Sequence, residues 1–221
     1  MVSEPARLAG FGGAWETVRA LVRADGTTAQ PFVEHLIGRD CPARDRADAV
    51  HHLCALHGRY PGIIEHAADY MPGPPARDWL IAAANAFAIE RSYLANLAAA
   101  AGPVPSTPGQ AEAEAASAAQ RHALDTLGRS ERKGCALGAA VVLALEWQEI
   151  RRLLDAAALR LGVAAPQSTL PPEHEAAALL AALSDGVAIE RAMLFGADQL
   201  LAQHRGLWAL LEARAEARGI D

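Results

Sequence analysis

Three glutamates and one histidine pose the chemical question of this chain. His57, Glu90, Glu146 and Glu190 each sit among apolar residues at helical spacing. Val50, Leu53, Cys54 and Ile64 neighbour His57; Phe87, Leu94 and Leu97 neighbour Glu90. Val142, Leu143, Ile150 and Leu153 neighbour Glu146; Leu183, Val187, Met193 and Leu194 neighbour Glu190. Residues three and four apart share one face of a helix, so this pattern points all four polar groups inward. A buried carboxylate must be paired, protonated or bound to a cation, and three of them beside one imidazole repel if all are ionised and unpartnered. Some compensating group is therefore expected in the core.

The elements that must position these groups are marked by Gly and Pro. Between the marks, apolar residues recur at helical spacing in four long segments: 42–70, 74–101, 130–161 and 172–218. Pro42, Pro74 and Pro172 suit a first helical turn, while Gly102 and Gly162 suit a stop. Two shorter helical pieces, around 14–24 and 28–37, precede them as an N-terminal unit, residues 1–41, that packs on the bundle of 42–221 within one domain. Short connections at 71–75 and 163–172 predict two antiparallel hairpins, about 42–101 and 130–218. A crossover at 102–129, with a surface helix over 110–127, joins them.

The hairpins resemble each other. Ala88-Ile89-Glu90-Arg91 recurs as Ala188-Ile189-Glu190-Arg191, and Leu53-Cys54-Ala55-Leu56-His57 aligns with Val142-Leu143-Ala144-Leu145-Glu146. Residues equidistant from the turn of a hairpin lie at one level. The midpoint of His57 and Glu90 falls within Pro72–Pro75, and that of Glu146 and Glu190 within Ala164–Pro172, which predicts one shared layer.

Composition bounds the rest. The 221 residues, 52% hydrophobic but only 5% aromatic, are rich in alanine and poor in sheet formers, so the fold class expected is all-α. A net charge of −6 with no basic stripe argues against nucleic acid as a partner. The apolar run Cys135–Leu145 is too short for a bilayer, so no membrane span is expected. Three widely spaced cysteines and a start without a secretory pattern suggest a reduced, cytoplasmic location. No Gly-rich phosphate loop, Ser nucleophile elbow or CxxC pair is present, so neither nucleotide binding nor a hydrolase triad is expected, and no organic cofactor and no catalytic residue is assigned.

On this topology, repeat and placement, residues 42–205 resemble the ferritin-like superfamily, four-helix bundles that hold a di-iron or di-manganese site between two helix hairpins. The resemblance implies metal ligation by His57, Glu90, Glu146 and Glu190, iron or manganese as cofactor, and oxidoreductase chemistry. In that family two helices carry Glu-x-x-His. Here Tyr93 and Met193 replace both histidines, leaving Tyr93 and Glu149 as auxiliary ligands.

A second reading makes the chain a non-enzymatic helical protein. The layer is then a structural polar network, with Glu90 and Glu190 paired to arginines such as Arg59, Arg151 or Arg152, and an exposed helix face binds a protein partner or a second copy in a homodimer. A small-molecule pocket between alanine-rich helices, as in heme-oxygenase-like proteins, ranks third. His51, His52, Cys54 and His57 do not converge on a helix and are not expected to bind zinc. Glu65, His66, His174 and His204 are expected on the surface.

Overall fold

The computed structural model describes residues 13–70, 73–183 and 186–219. Among them every regular element is a helix, with no strand. The helices are α1 (Ala14–Asp25), α2 (Pro31–Ile37), α3 (Ala43–His57), α4 (Ile63–Tyr70), α5 (Ala76–Ala101), α6 (Gln110–Gly128), α7 (Cys135–Leu161), α8 (Glu173–Leu183) and α9 (Val187–Gly219). A single 3-10 turn, Thr27–Ala29, links α1 to α2.

α7 is the central rod. From Cys135 to Ala144 every side is buried, as expected of a helix that is apolar all round and surrounded by others. Trp147, Ile150 and Leu154 carry the core onward, meeting Leu94 and Leu97 of α5 and Leu200 and Trp208 of α9 in one apolar cluster. Gly102 and Gly162, both at positive φ, end α5 and α7 where the sequence placed the stops. No helix among the described residues is long and apolar enough to cross a membrane.

Two of the four long segments divide. The segment 42–70 breaks at Arg59-Tyr60-Pro61-Gly62, where Pro61 removes a backbone donor, giving α3 and α4. The segment 172–218 becomes α8, ending at Leu183, and α9, beginning at Val187.

The second hairpin is overturned by the direction of α9. Gly138 of α7 lies against Met193 and Gly134 against Ile189, while Glu146 faces His204. Positions in both helices rise together, so α7 and α9 run parallel. α5 is parallel to α7 as well, since Phe87 meets Trp147 and Tyr93 meets Leu154. α3 runs the other way, with His57 against His204 and Asp45 against Arg218.

A parallel neighbour requires a return path, and 163–172 supplies it. This stretch has no helix, and the Pro166 carbonyl accepts from Arg151, more than two turns back along α7. Ten extended residues reach roughly 33 Å, against a length of about 40 Å for a helix the size of α7. α8 completes the climb, its Glu173 pairing with Arg19.

The crossing of α7 and α9 is close because glycines face it. A Cβ on Gly138 would lie 2.0 Å from the Met193 carbonyl oxygen, and one on Gly196 would lie 1.9 Å from that of Cys135. Backbone stands there in place of side chain on both helices.

Candidate functional site

Three of the four predicted groups reach the core, and each finds protein partners there. Glu90 and Glu146 are 0% and 1% exposed, and His57 is buried beside them. Glu190 does not join them. It lies half-buried in the first turn of α9, close to Gly13. Levelling Glu146 with Glu190 presupposed an antiparallel turn between them; with α7 and α9 parallel, the residue at the level of Glu146 is His204.

Glu146 Oε2 accepts the Thr27 backbone N–H at 2.9 Å and the Thr27 hydroxyl at 2.7 Å, and faces His204 Nδ1 at 3.3 Å. The 3-10 turn is what delivers Thr27. Gly26 permits the approach, because a Cβ there would stand 2.5 Å from Glu146 Oε1. His204 Nε2 in turn meets His57 Nε2 at 3.0 Å. An ionised Glu146 accepts only, so His204 carries its proton on Nδ1 and accepts the His57 Nε2–H. Burial, with His204 and Arg91 nearby, pushes the His57 pKa well below the ordinary imidazole value, which keeps this ring uncharged.

Glu90 forms the second half of the layer. Arg151 Nη1 bonds its two oxygens at 2.7 and 2.9 Å, and the Trp147 indole N–H donates at 3.1 Å. Trp147 divides the halves, its ring edge-on to His57 at 5.5 Å. Arg151 also bonds Asp155 at 2.8 Å and lies 4.5 Å over the Tyr93 ring. The Tyr93 hydroxyl, at 2.9 Å from Asp155 and 3.2 Å from the Leu154 carbonyl, belongs to this ion pair and makes no bond to Glu90. Burial and Asp155 raise the Tyr93 pKa. Glu149 is half-exposed and pairs with Arg152 at 2.9 Å. Among the described residues no group of three or more His, Cys, Asp or Glu side chains is arranged to hold a metal ion.

The expected surface placement fails for His204, Glu65 and His66, all buried, and holds for His174. Glu65 pairs with Arg91 and accepts the Gly62 N–H at 2.8 Å, while His66 accepts from Arg129 at 3.4 Å. His204 was legible: Leu200, Leu201, Leu207, Trp208 and Leu211 surround it at helical spacing, the same signature that marked the other four.

A second buried cluster ties α3 to α6 and α9. Asp48, wholly buried, accepts from Arg214 at 2.8 and 2.9 Å and from Arg218 at 2.7 Å. Asp45 accepts from Arg218 at 3.0 Å, and Thr107 bonds both arginines. Burial alone would raise the Asp48 pKa, but the two guanidiniums outweigh it and hold the carboxyl below its usual value. On the other side of Asp48 stands His52, with Nε2 at 3.6 Å from Asp48 Oδ1 and Nδ1 at 2.8 Å from the Ser117 hydroxyl oxygen.

These features define an all-helical protein organised around a buried carboxylate and imidazole layer. The chain belongs to a protein family of unknown function, DUF6975, which it matches over residues 22–219. No curated protein and no solved structure matches it.

Proposed function

We propose that this protein works through protein–protein contact, with a second copy of the chain as partner, and that its polar layer is structural. The observation that carries this reading is the solvent face of α5. Between Asp78 and Gly102 the only charged residues of the helix are Glu90 and Arg91, both buried. The exposed positions are Ile81, Ala82, Asn85, Ala88, Ile89, Ser92, Ala95, Asn96, Ala99 and Ala100, with Ile81 and Ile89 45% and 41% exposed. A long uncharged face of small residues and two isoleucines lets another helix approach closely without desolvating charge. A twofold axis beside α5 sets that face against itself, so one surface supplies both halves of the contact.

The metal reading is supported less well, because the donors a metal would replace are already committed. Glu90 is bonded by Arg151 and Trp147, and Glu146 by Thr27 and His204. The ferritin-like resemblance enters this reading as ancestry: a mid-bundle layer in which protein donors stand where metal ligands stood, with α9 running opposite to the fourth helix of a paired-hairpin bundle.

Sedimentation velocity over a concentration series tests the reading. A dimer is expected for the wild type and a monomer for Ile81→Arg/Ile89→Arg with an unchanged circular dichroism spectrum. A wild type that stays monomeric across the series contradicts it.

A further inference from the structure

Beyond that contact surface, we propose that Ser117, His52 and Asp48 form a nucleophile, general base and orienting carboxylate for hydrolysis of small carboxylic esters in the cavity between α3 and α6. The cavity measures about 330 Å³, and His52, Ser117, Arg121, His51, Ala55 and Val104 are among its walls. That volume suits a small organic molecule.

Each role follows from a contact. Asp48 is held ionised by Arg214 and Arg218, and it faces His52 Nε2 across 3.6 Å, an electrostatic rather than a hydrogen-bond distance that favours the proton on Nε2. This tautomer leaves a lone pair on Nδ1, where the Ser117 hydroxyl donates at 2.8 Å. Burial keeps His52 neutral, and Arg214 and His51 oppose its protonation while Asp48 favours it. Arg121 lies one turn beyond Ser117 on α6 and lines the same cavity, as Glu114 does one turn before Ser117, and the guanidinium is the group there that can face a developing oxyanion. Nε2 of His51, on the same wall, is buried without a partner. An unpartnered ring nitrogen and a cation beside a nucleophile and its base are groups a reacting carbonyl can use.

The steps balance with water as the co-reactant. Ser117 Oγ bonds to the ester carbonyl carbon as His52 Nδ1 takes the hydroxyl proton. The carbon–oxygen bond to the alcohol breaks, and His52 returns the proton to the leaving oxygen. Water then adds to the acyl carbon, giving its proton to His52. The Oγ–carbon bond breaks, Ser117 regains its proton, and the carboxylic acid leaves.

The test is labelling of the full chain with a fluorophosphonate, followed by peptide mapping, alongside hydrolysis of p-nitrophenyl acetate. One adduct per chain on Ser117 is expected. Ser117→Ala should abolish both label and turnover with the melting temperature retained, and His52→Gln should slow labelling about 100-fold or more. Arg121→Ala should lower kcat about 100-fold with KM little changed. Mapping on the wild type decides the matter without any variant: absence of an adduct on Ser117 overturns the proposal, as does turnover that survives Ser117→Ala.

Discussion

The two polar clusters of this molecule differ in what they leave open. Around Trp147 the groups close on one another: Glu90 on Arg151, Glu146 on Thr27 and His204, and His204 on His57. The crevice His57 lines holds about 20 Å³, room for a single water. Around Asp48 the charge is equally well paired on the α9 side, yet His52, 3.6 Å from Asp48, bonds outward to Ser117 at the wall of a cavity more than ten times larger. Burial and hydrogen bonding are alike in the two places. What separates them is that one ends in protein and the other ends in open volume, where a hydroxyl and the imidazole bonded to it stand at a cavity wall.

Breaking the closed cluster should have the largest effect. Arg151→Ala leaves Glu90 fully buried with the indole as its remaining donor, and a loss of about 3–5 kcal/mol in unfolding free energy is expected from chemical denaturation. Glu90→Leu/Arg151→Met removes both charges together and should recover most of that loss. If the double variant is as unstable as Arg151→Ala, the pair is not acting as a unit.

The frame beneath the layer comes next. Gly138→Ala puts a methyl into the Met193 carbonyl, which backbone packing cannot yield to, and a loss of about 1–3 kcal/mol is expected. An unchanged denaturation midpoint would contradict the close parallel crossing of α7 and α9.

Acid sharpens the comparison without any substitution. His57 and His52 both have folded pKa values below the ordinary imidazole value, His57 by the wider margin. Below about pH 6.5 the unfolded chain takes up protons that the folded chain refuses. Stability contributed above that pH is lost as pH falls toward the depressed folded values, at about 1.4 kcal/mol per pH unit for each histidine. Urea midpoints measured from pH 7.5 to 5.0 should therefore decline, and His57→Gln should reduce the slope by about half.

Much of this is readable in the residues, and the largest failure is one of helix direction. Helical periodicity and the stops at Gly102 and Gly162 located α5 and α7 to within a few residues. Apolar neighbours at helical spacing correctly buried His57, Glu90 and Glu146, and Arg151 stood among the arginines considered for Glu90. Glu190 failed because the shared Ala-Ile-Glu-Arg string says nothing about where its helix begins or which way it runs. One tetrapeptide lies in mid-helix and the other in a first turn. The ten residues 163–172 looked like a short turn because length was read without conformation. Extended chain covers more than twice the distance per residue that helix does, and that difference turned the expected antiparallel neighbour into a parallel one. Pro61-Gly62 was a visible break passed over within one periodic segment. Thr27 and Ser117 carry no local signature; only the tertiary approach of a turn or a helix gives either its partner.

The role of the layer is tested most directly by elemental analysis of protein purified without chelator or affinity metal, beside a Glu90→Gln/Glu146→Gln variant. A structural layer predicts no stoichiometric iron, manganese or zinc in either protein and no uptake of added iron by the wild type. Near-stoichiometric metal in the wild type that disappears in the variant would contradict it.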